Sequence, residues 1–225
     1  MVGALPATGA PGILQRRSTY GIQHSDLDFK FWMHGPPPLA LARPKRCPGC
    51  GVAGHALGGA VALHGHGWVW RSAWGPPAPD RPSEARQIAI RRYRCTGCGA
   101  VIRVGPRGLL TRRAYTGSAI AMALVLWCVV GSGADAVRAR IEIERVVGAT
   151  AAGERWSTLL RWARAAAGGG LFGGPPVRVG GTLRARACRG LVALERVRAD
   201  GGLERISPEQ AFFAAHHVGR GTAFG

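Results

Sequence analysis

Alternating apolar and polar residues predict β-strands in the first half of the chain. Residues 68–71 alternate as Trp-Val-Trp-Arg. Residues 87–94 place Ile88 and Ile90 on one face of a second strand. Residues 100–104 form a third run, which is rich in β-branched side chains. We therefore expect a three-stranded sheet in this half of the chain.

A period near 3.6 residues replaces this alternation in the second half and predicts helices. The first helix covers residues 118–130, and Thr116 or Ser118 can cap its N-terminus. A glycine-rich turn separates it from a second helix over residues 134–147. We expect a third helix across residues 155–164.

The third helix has one apolar face and one face that combines serine with arginine. The apolar residues are Trp156, Leu159, Leu160 and Ala163, and the polar residues are Ser157, Arg161 and Arg164. An apolar face for docking and a polar face for a DNA groove are what a recognition helix requires. An ordinary amphipathic surface helix has the same pattern, so both interpretations stay open.

Two cysteine pairs, each followed directly by glycine, are the clearest chemical signal. Cys47 and Cys50 form the first Cys-x-x-Cys turn, and Cys95 and Cys98 form the second. Two such turns supply the four thiolates of a tetrahedral site and leave no open position for catalysis, so we expect structural Zn²⁺. The alternatives are two unrelated turns or a thioredoxin-like redox pair, which would need a βαβ context.

The remaining histidines and cysteines have weaker patterns. His64 and His66 lie between the two cysteine pairs, and either could replace a cysteine ligand, but four cysteines already complete the site. Cys128 lies in an apolar run and Cys188 in an arginine-rich run. We expect both to be free thiols.

The predicted elements divide the chain into four segments of a small α+β protein. Residues 1–24 include nine Gly, Pro, Ser or Thr residues, and we expect this segment to be disordered. Residues 25–107 form a zinc ribbon with a long insert between the cysteine pairs. Residues 114–167 form an all-α, helix-turn-helix-like unit. Residues 168–225 contain a Gly-Pro linker, a basic stretch and a short terminal helix.

The charge of the chain indicates a polyanionic partner. Thirty basic residues face twelve acidic ones, which gives a net charge of +18, and nearly all the basic residues are arginine. A GC-rich genome explains arginine in place of lysine but not the shortage of acids. DNA, most simply duplex, is therefore the expected partner. The candidate DNA-contacting residues are Arg91, Arg92, Arg112, Arg113, Ser157, Arg161 and Arg164.

An uncharged segment over residues 117–134 raises the alternative of a membrane anchor, with Arg112 and Arg113 as flanking charges. The turn at Gly131-Ser132-Gly133 shortens the apolar helix to about 14 residues, which is typical of a buried helix. Residues 1–11 lack the pattern of a secretory signal peptide. We expect a cytoplasmic protein, because thiolates stay reduced in the cytoplasm.

Three motifs together resemble a known family. Residues 92–99 read Arg-Tyr-Arg-Cys-Thr-Gly-Cys-Gly, a basic segment follows at 106–113, and residues 156–162 read Trp-Ser-Thr-Leu-Leu-Arg-Trp. This order resembles the N-terminal DNA-binding region of bacterial insertion-sequence transposases and their uncharacterised zinc-ribbon relatives, over residues 40–167. The resemblance implies that the ribbon and the helical unit bind DNA.

The resemblance stops before the catalytic domain of that family. Such transposases continue into a ribonuclease-H-like domain with three metal-binding carboxylates, whereas the acids after Ala167 are Glu195, Asp200, Glu204 and Glu209. We therefore expect a transposase-derived or transposition-associated DNA-binding protein without catalysis or a small-molecule substrate. A transposase or another protein is a candidate partner. The alternatives are a zinc-ribbon adaptor that binds protein or RNA, and a membrane-anchored zinc protein.

Overall fold

The computed structural model describes residues 22–27, 29–55, 59–143, 156–178, 180–195 and 206–217. Within these ranges, a four-stranded sheet precedes a group of packed helices, so the chain is a small α+β protein. The strands are β1 (Ile22–His24), β2 (Leu63–Gly75), β3 (Glu84–Cys95) and β4 (Val101–Gly105), in the spatial order β1-β4-β3-β2.

β2 and β3 form a long antiparallel hairpin. Trp68 pairs with Arg91 and Trp70 with Ala89, and the register shifts once, between Gly65 and Trp68. The three predicted strands are confirmed. β2 begins earlier than predicted because Leu63, His64 and Gly65 pair with β3 through their backbone, although they carry no alternating pattern.

The fourth strand, β1, comes from a segment that the sequence pattern assigned to disorder. β1 runs parallel to β4, with Ile22 opposite Arg103 and His24 opposite Gly105. Ile22 also packs against the core of the sheet, which explains why a polar-looking segment joins it. Residues 1–21 of the predicted disordered segment lie outside the described part of the chain.

The core of the sheet includes residues from the segment before the first cysteine pair. Two short helices lie there, α1 (Lys30–Met33) and α2 (Leu39–Ala42). The Tyr93 hydroxyl donates to the Leu39 carbonyl at 2.7 Å and ties this segment to β3. The largest fully buried side chains of this core are Trp32, Leu63, Ile88, Ile90, Tyr93, Ile102 and Leu109.

The three predicted helices are α3 (Gly117–Cys128), α4 (Ala134–Ile141) and α5 (Ser157–Ala167). The Thr116 side chain caps α3 by accepting from the Ala119 N–H at 3.1 Å. α4 is shorter than predicted because the backbone of Glu142 is already extended. Residues 144–147 of that predicted helix lie outside the described residues.

α3 is the centre of the helical core, and residues 117–125 are all buried. A helix that is apolar around its whole circumference must be covered on every side. Among the described helices, none combines the length and the apolar composition that a membrane span requires.

The C-terminal residues supply part of that cover. They form α6 (Leu183–Gly190), α7 (Val192–Glu195) and α8 (Pro208–His217). α8 packs along α3, and α6 packs against α5. Ala211, Phe212 and Ala215 share one buried cluster with α3 and α5, so the described tail completes the helical core.

The sheet and the helices meet at the hairpin end of β2. The Trp74 N–H donates to the Ala114 carbonyl at 2.8 Å, and the Thr116 N–H donates to the Trp74 carbonyl at 2.9 Å. Gly75 lies directly against α3, where an added Cβ would be 2.4 Å from the Cβ of Ala119. This contact therefore requires glycine.

Candidate metal centre and arginine cleft

Each cysteine pair lies on a tight backbone turn that glycine permits. The Gly51 N–H donates to the Cys47 carbonyl at 2.8 Å, and the Gly99 N–H donates to the Cys95 carbonyl at 2.9 Å. Gly51 and Gly99 have φ values of +75° and +71°, in the left-handed region that side chains disfavour. The glycine after each pair is therefore part of the geometry of the site.

The two turns face each other at the start of β2, whereas α3 packs against the other end of that strand, at Gly75. Cys47 donates its N–H to the Val52 carbonyl and Cys95 donates to the Ala100 carbonyl, both at 2.9 Å, so each turn closes a small hairpin. The N–H of Thr96 donates to the Ala62 carbonyl, beside the start of β2. The sheet thus positions the second turn against the first.

The four sulfur atoms form one cluster, in which all lie within 4.8 Å of one another. The Sγ atoms of Cys47 and Cys98 are 3.7 Å apart, as are those of Cys50 and Cys95. A tetrahedron with metal–sulfur bonds of about 2.3 Å has edges of about 3.8 Å. This cysteine cluster can hold a metal ion without a large movement of its ligands.

Hydrogen bonds and burial act on the thiols in opposite directions. Burial raises the pKa of Cys47 and raises the pKa of Cys98 to about 12. Burial also acts on Cys95, but hydrogen bonds from the backbone of Cys98 and from neighbouring thiols lower the pKa of Cys95 to about 7. Because metal ligation requires thiolates, loading the cluster releases the remaining protons.

The other candidate ligands and thiols lie elsewhere. Within the described residues, the ligand cluster contains the four cysteines and neither His64 nor His66, which are exposed on β2. Cys128 and Cys188 are also outside it, and their thiols contact each other between α3 and α6. Burial, followed by the charge of Cys188, raises the pKa of Cys128 to about 12.

A second candidate site is a cleft between the end of β2, the segment before α3, and α5. Its cavity volume is about 330 Å³. It brings together Arg112, Arg113 and Arg161, which the sequence predicted as separate DNA contacts. We call this site the arginine cleft, and its lining residues are Trp74, Arg112, Arg113, Ala114, Tyr115, Glu142, Thr158, Arg161 and Trp162.

Hydrogen bonds from Arg71 shape one wall of the arginine cleft. The Arg71 guanidinium donates to the carbonyls of Leu110 at 2.7 Å and Arg113 at 3.0 Å. Burial and the nearby charge of Arg103 lower the pKa of Arg71. Arg112 has a φ of +60°, a conformation that non-glycine residues rarely adopt and that often marks functional sites.

The opposite wall is α5, and its polar face is exposed as the periodicity predicted. Ser157, Arg161 and Arg164 are exposed, whereas Leu159 and Ala163 are buried. The buried face also includes Trp162, which the sequence analysis did not assign, and Leu160 is only half-buried. The Arg161 guanidinium donates to the Thr158 hydroxyl at 3.0 Å.

The acidic residue in the cleft does not cancel the arginines. Glu142 forms an ion pair with Arg138, one turn earlier at the end of α4. Its charge is therefore already offset by a cation that does not line the cleft. The three lining arginines leave a net positive cavity with aromatic walls.

Arg91 and Arg92 lie outside the arginine cleft and on opposite faces of β3. Arg91 donates to the Pro37 carbonyl at 2.6 Å and the Pro36 carbonyl at 3.2 Å, so its hydrogen bonds fix the α1–α2 connection. Arg92 is half-buried and directly opposite Arg103 across the β3–β4 ladder. Two like charges at facing positions repel each other.

The sequence analysis missed the aromatic walls of the cleft and two exposed tryptophans. Trp74 and Tyr115 gave no signal because their meeting depends on the packing of the sheet against the helices. Trp68 and Trp70 were visible only as part of a strand, although a Trp-x-Trp pair on an edge strand points to one face.

No family model, curated protein or solved structure matches the chain.

Proposed function

We propose that the protein is a DNA-binding protein that holds duplex DNA at the arginine cleft and along the polar face of α5. The observation that carries this proposal is the meeting of Arg112 and Arg113 with Arg161, which lies far away in sequence, in one cavity. In a chain with a net charge of +18, such a cavity suits phosphate, because guanidinium groups match its geometry and charge.

In this proposal the arginines have two roles. Arg112 and Arg113 neutralise phosphates, which gives affinity without sequence preference. Ser157, Arg161 and Arg164 lie on α5, which acts as the recognition helix of a helix-turn-helix-like unit formed with α3 and α4. The exposed polar face and buried apolar face of α5 support this role.

The metal in this proposal is structural Zn²⁺, bound by Cys47, Cys50, Cys95 and Cys98. Four thiolates at tetrahedral spacing suit zinc and leave no open position for a substrate. The cysteine cluster and β2–β4 then constitute a zinc ribbon that supports the DNA-binding surface without catalysis. A thiolate site of this kind suits the reducing cytoplasm. A transposition-associated role, with a transposase as protein partner, follows from the sequence resemblance.

Fluorescence anisotropy with a labelled blunt duplex, measured across salt concentrations, tests the proposal. The logarithm of the binding constant of the zinc-loaded protein should fall linearly with the logarithm of the salt concentration. Arg112→Ala should reduce the slope by about one phosphate contact. Arg178→Ala is the matched control, because Arg178 is exposed and does not line the cleft.

The competitors in the same assay separate the alternatives. Duplex DNA should displace the label more efficiently than RNA or an acidic protein. Equal displacement by RNA would favour the adaptor hypothesis. Salt-insensitive binding, or equal effects of Arg112→Ala and Arg178→Ala, would contradict the proposal.

A further inference from the structure

Two large aromatic side chains are exposed on the edge strand β2. Trp68 and Trp70 are 50% and 63% exposed. Residues two apart on a strand point to the same face and are roughly 7 Å apart. That spacing is about twice the 3.4 Å rise per base of one DNA strand, so each ring can stack on a base.

The same face of β2 leads to the arginine cleft. The pairing of β2 with β3 is regular from Trp68 to Gly75, so Trp74 is on the same face as Trp68 and Trp70. Trp74 also lines the cleft. These three residues, which we call the tryptophan row, extend over roughly 20 Å and end at the three cleft arginines.

Trp68 is held in place although half of it is exposed. The Arg91 guanidinium lies over its ring, 5.9 Å from the centroid. Arg91 is itself fixed by the carbonyls of Pro36 and Pro37. A ring that is already positioned loses little conformational freedom when a ligand stacks on it.

Charge decides which occupant suits the tryptophan row. Exposed rings next to a positive cavity match a ligand that carries both flat apolar faces and negative charge, and a nucleic-acid strand has both. The bases of a duplex are paired and stacked on each other, so they cannot reach the rings, whereas unpaired bases can.

We infer that an unpaired DNA strand lies along the tryptophan row, with bases stacked on Trp68 and Trp70 and a backbone phosphate in the arginine cleft. This inference rests on the proposed function, because duplex and single strand share the cleft. The preferred substrate is then a junction, with the duplex on α5 and the unpaired strand on β2.

The experiment compares two labelled DNAs, a blunt duplex and the same duplex with a short single-stranded overhang. The zinc-loaded protein should bind the overhang DNA at least about fivefold more tightly than the blunt duplex. The double variant Trp68→Ala/Trp70→Ala should lose this preference and bind the blunt duplex like wild type. Phe213→Ala is the control, since it removes an aromatic ring that is 57% exposed on α8. Circular dichroism and zinc content establish that each variant is folded.

The outcomes separate this inference from the proposed function. Equal wild-type affinity for both DNAs would overturn the inference and leave duplex binding intact. A double variant that keeps the preference, or a Phe213→Ala variant that loses it, would also overturn the inference. Failure of the wild type to bind the blunt duplex would contradict the proposed function.

Discussion

Trp74 and Tyr115 join the sheet to the helices through both backbone and side chain. They form an isolated parallel β-bridge, and their rings meet edge to face with centroids 5.5 Å apart. Tyr115 makes a second edge contact, at 5.0 Å, with Trp162 of α5. All three of these aromatic side chains line the arginine cleft, so the shape of the cleft depends on how the sheet and α5 are held relative to each other.

Gly75→Ala should separate the sheet from α3. An added Cβ would be 2.4 Å from the Cβ of Ala119, which is too close for two carbon atoms. Gly35→Ala is the matched control, because Gly35 has nearly the same φ, +127° against +129°, but open space around it. Urea unfolding should show Gly75→Ala less stable than Gly35→Ala by about 1–3 kcal/mol. Equal stability of the two variants would contradict the close packing at this junction.

Cys95→Ser should lose the metal and unfold the sheet, because metal ligation and folding are coupled in sites of this kind. Metal analysis should find one zinc per chain in wild type and none in the variant, with loss of the β-strand signal in circular dichroism. Cys188→Ser is the control, since Cys188 is outside the cysteine cluster. Unchanged zinc content in Cys95→Ser would disprove the four-thiolate site.

His24 should make the stability of the sheet depend on pH. Its Nε2 is 3.0 Å from the Leu109 carbonyl, and burial, aided by the charge of Arg107, lowers the pKa of His24 below 6.5. The unfolded chain then binds the proton more readily than the folded chain. The contribution of His24 is complete above pH 6.5 and is lost as the pH falls through the lowered pKa.

The measurement is the free energy of unfolding of wild type and His24→Gln between about pH 7.5 and pH 5. The difference in the free energy of unfolding between the two proteins should change over this pH interval. Wild type should lose more stability than His24→Gln as the pH falls. The metal centre is present in both proteins, so its contribution cancels in the comparison. Parallel curves would show that His24 does not titrate as its surroundings imply.

The sequence predicted those features whose cause is local. The Cys-x-x-Cys spacing and the glycine after each pair located the cysteine cluster, because a tight turn depends on residues that are adjacent in sequence. The polar face of α5 followed from helical period alone. The sequence offered Thr116 and Ser118 as caps of α3, because both residue types are preferred at that position, and the structure has Thr116 as the cap.

The features that sequence reasoning missed depend on distant contacts. β1 pairs with β4 through its backbone, and three residues carry too little pattern to reveal a strand. Arg91 looked like any other basic residue, yet its Nε donates to the Pro37 carbonyl and its Nη2 to the Pro36 carbonyl. The arginine cleft arises only when the segment before α3 packs beside α5, which no local pattern specifies.

The central claim is that arginines from two segments hold the same phosphate-bearing ligand. A double-mutant cycle with Arg113→Ala and Arg161→Ala tests it, with binding of the blunt duplex as the measured free energy. Residues that share a ligand in one cavity should be energetically coupled. The double variant should therefore lose less binding free energy than the two single variants lose together, by about 0.5–3 kcal/mol.

The matched cycle pairs Arg161→Ala with Arg178→Ala. The Arg178→Ala substitution removes the same charge as Arg113→Ala, but Arg178 does not line the cleft. That pair should be additive within about 0.5 kcal/mol. Coupling at Arg113 and Arg161 together with additivity in the control cycle is the result that we predict. Additivity in both cycles would show that the two arginines bind separately, and it would contradict the arginine cleft as a single binding site.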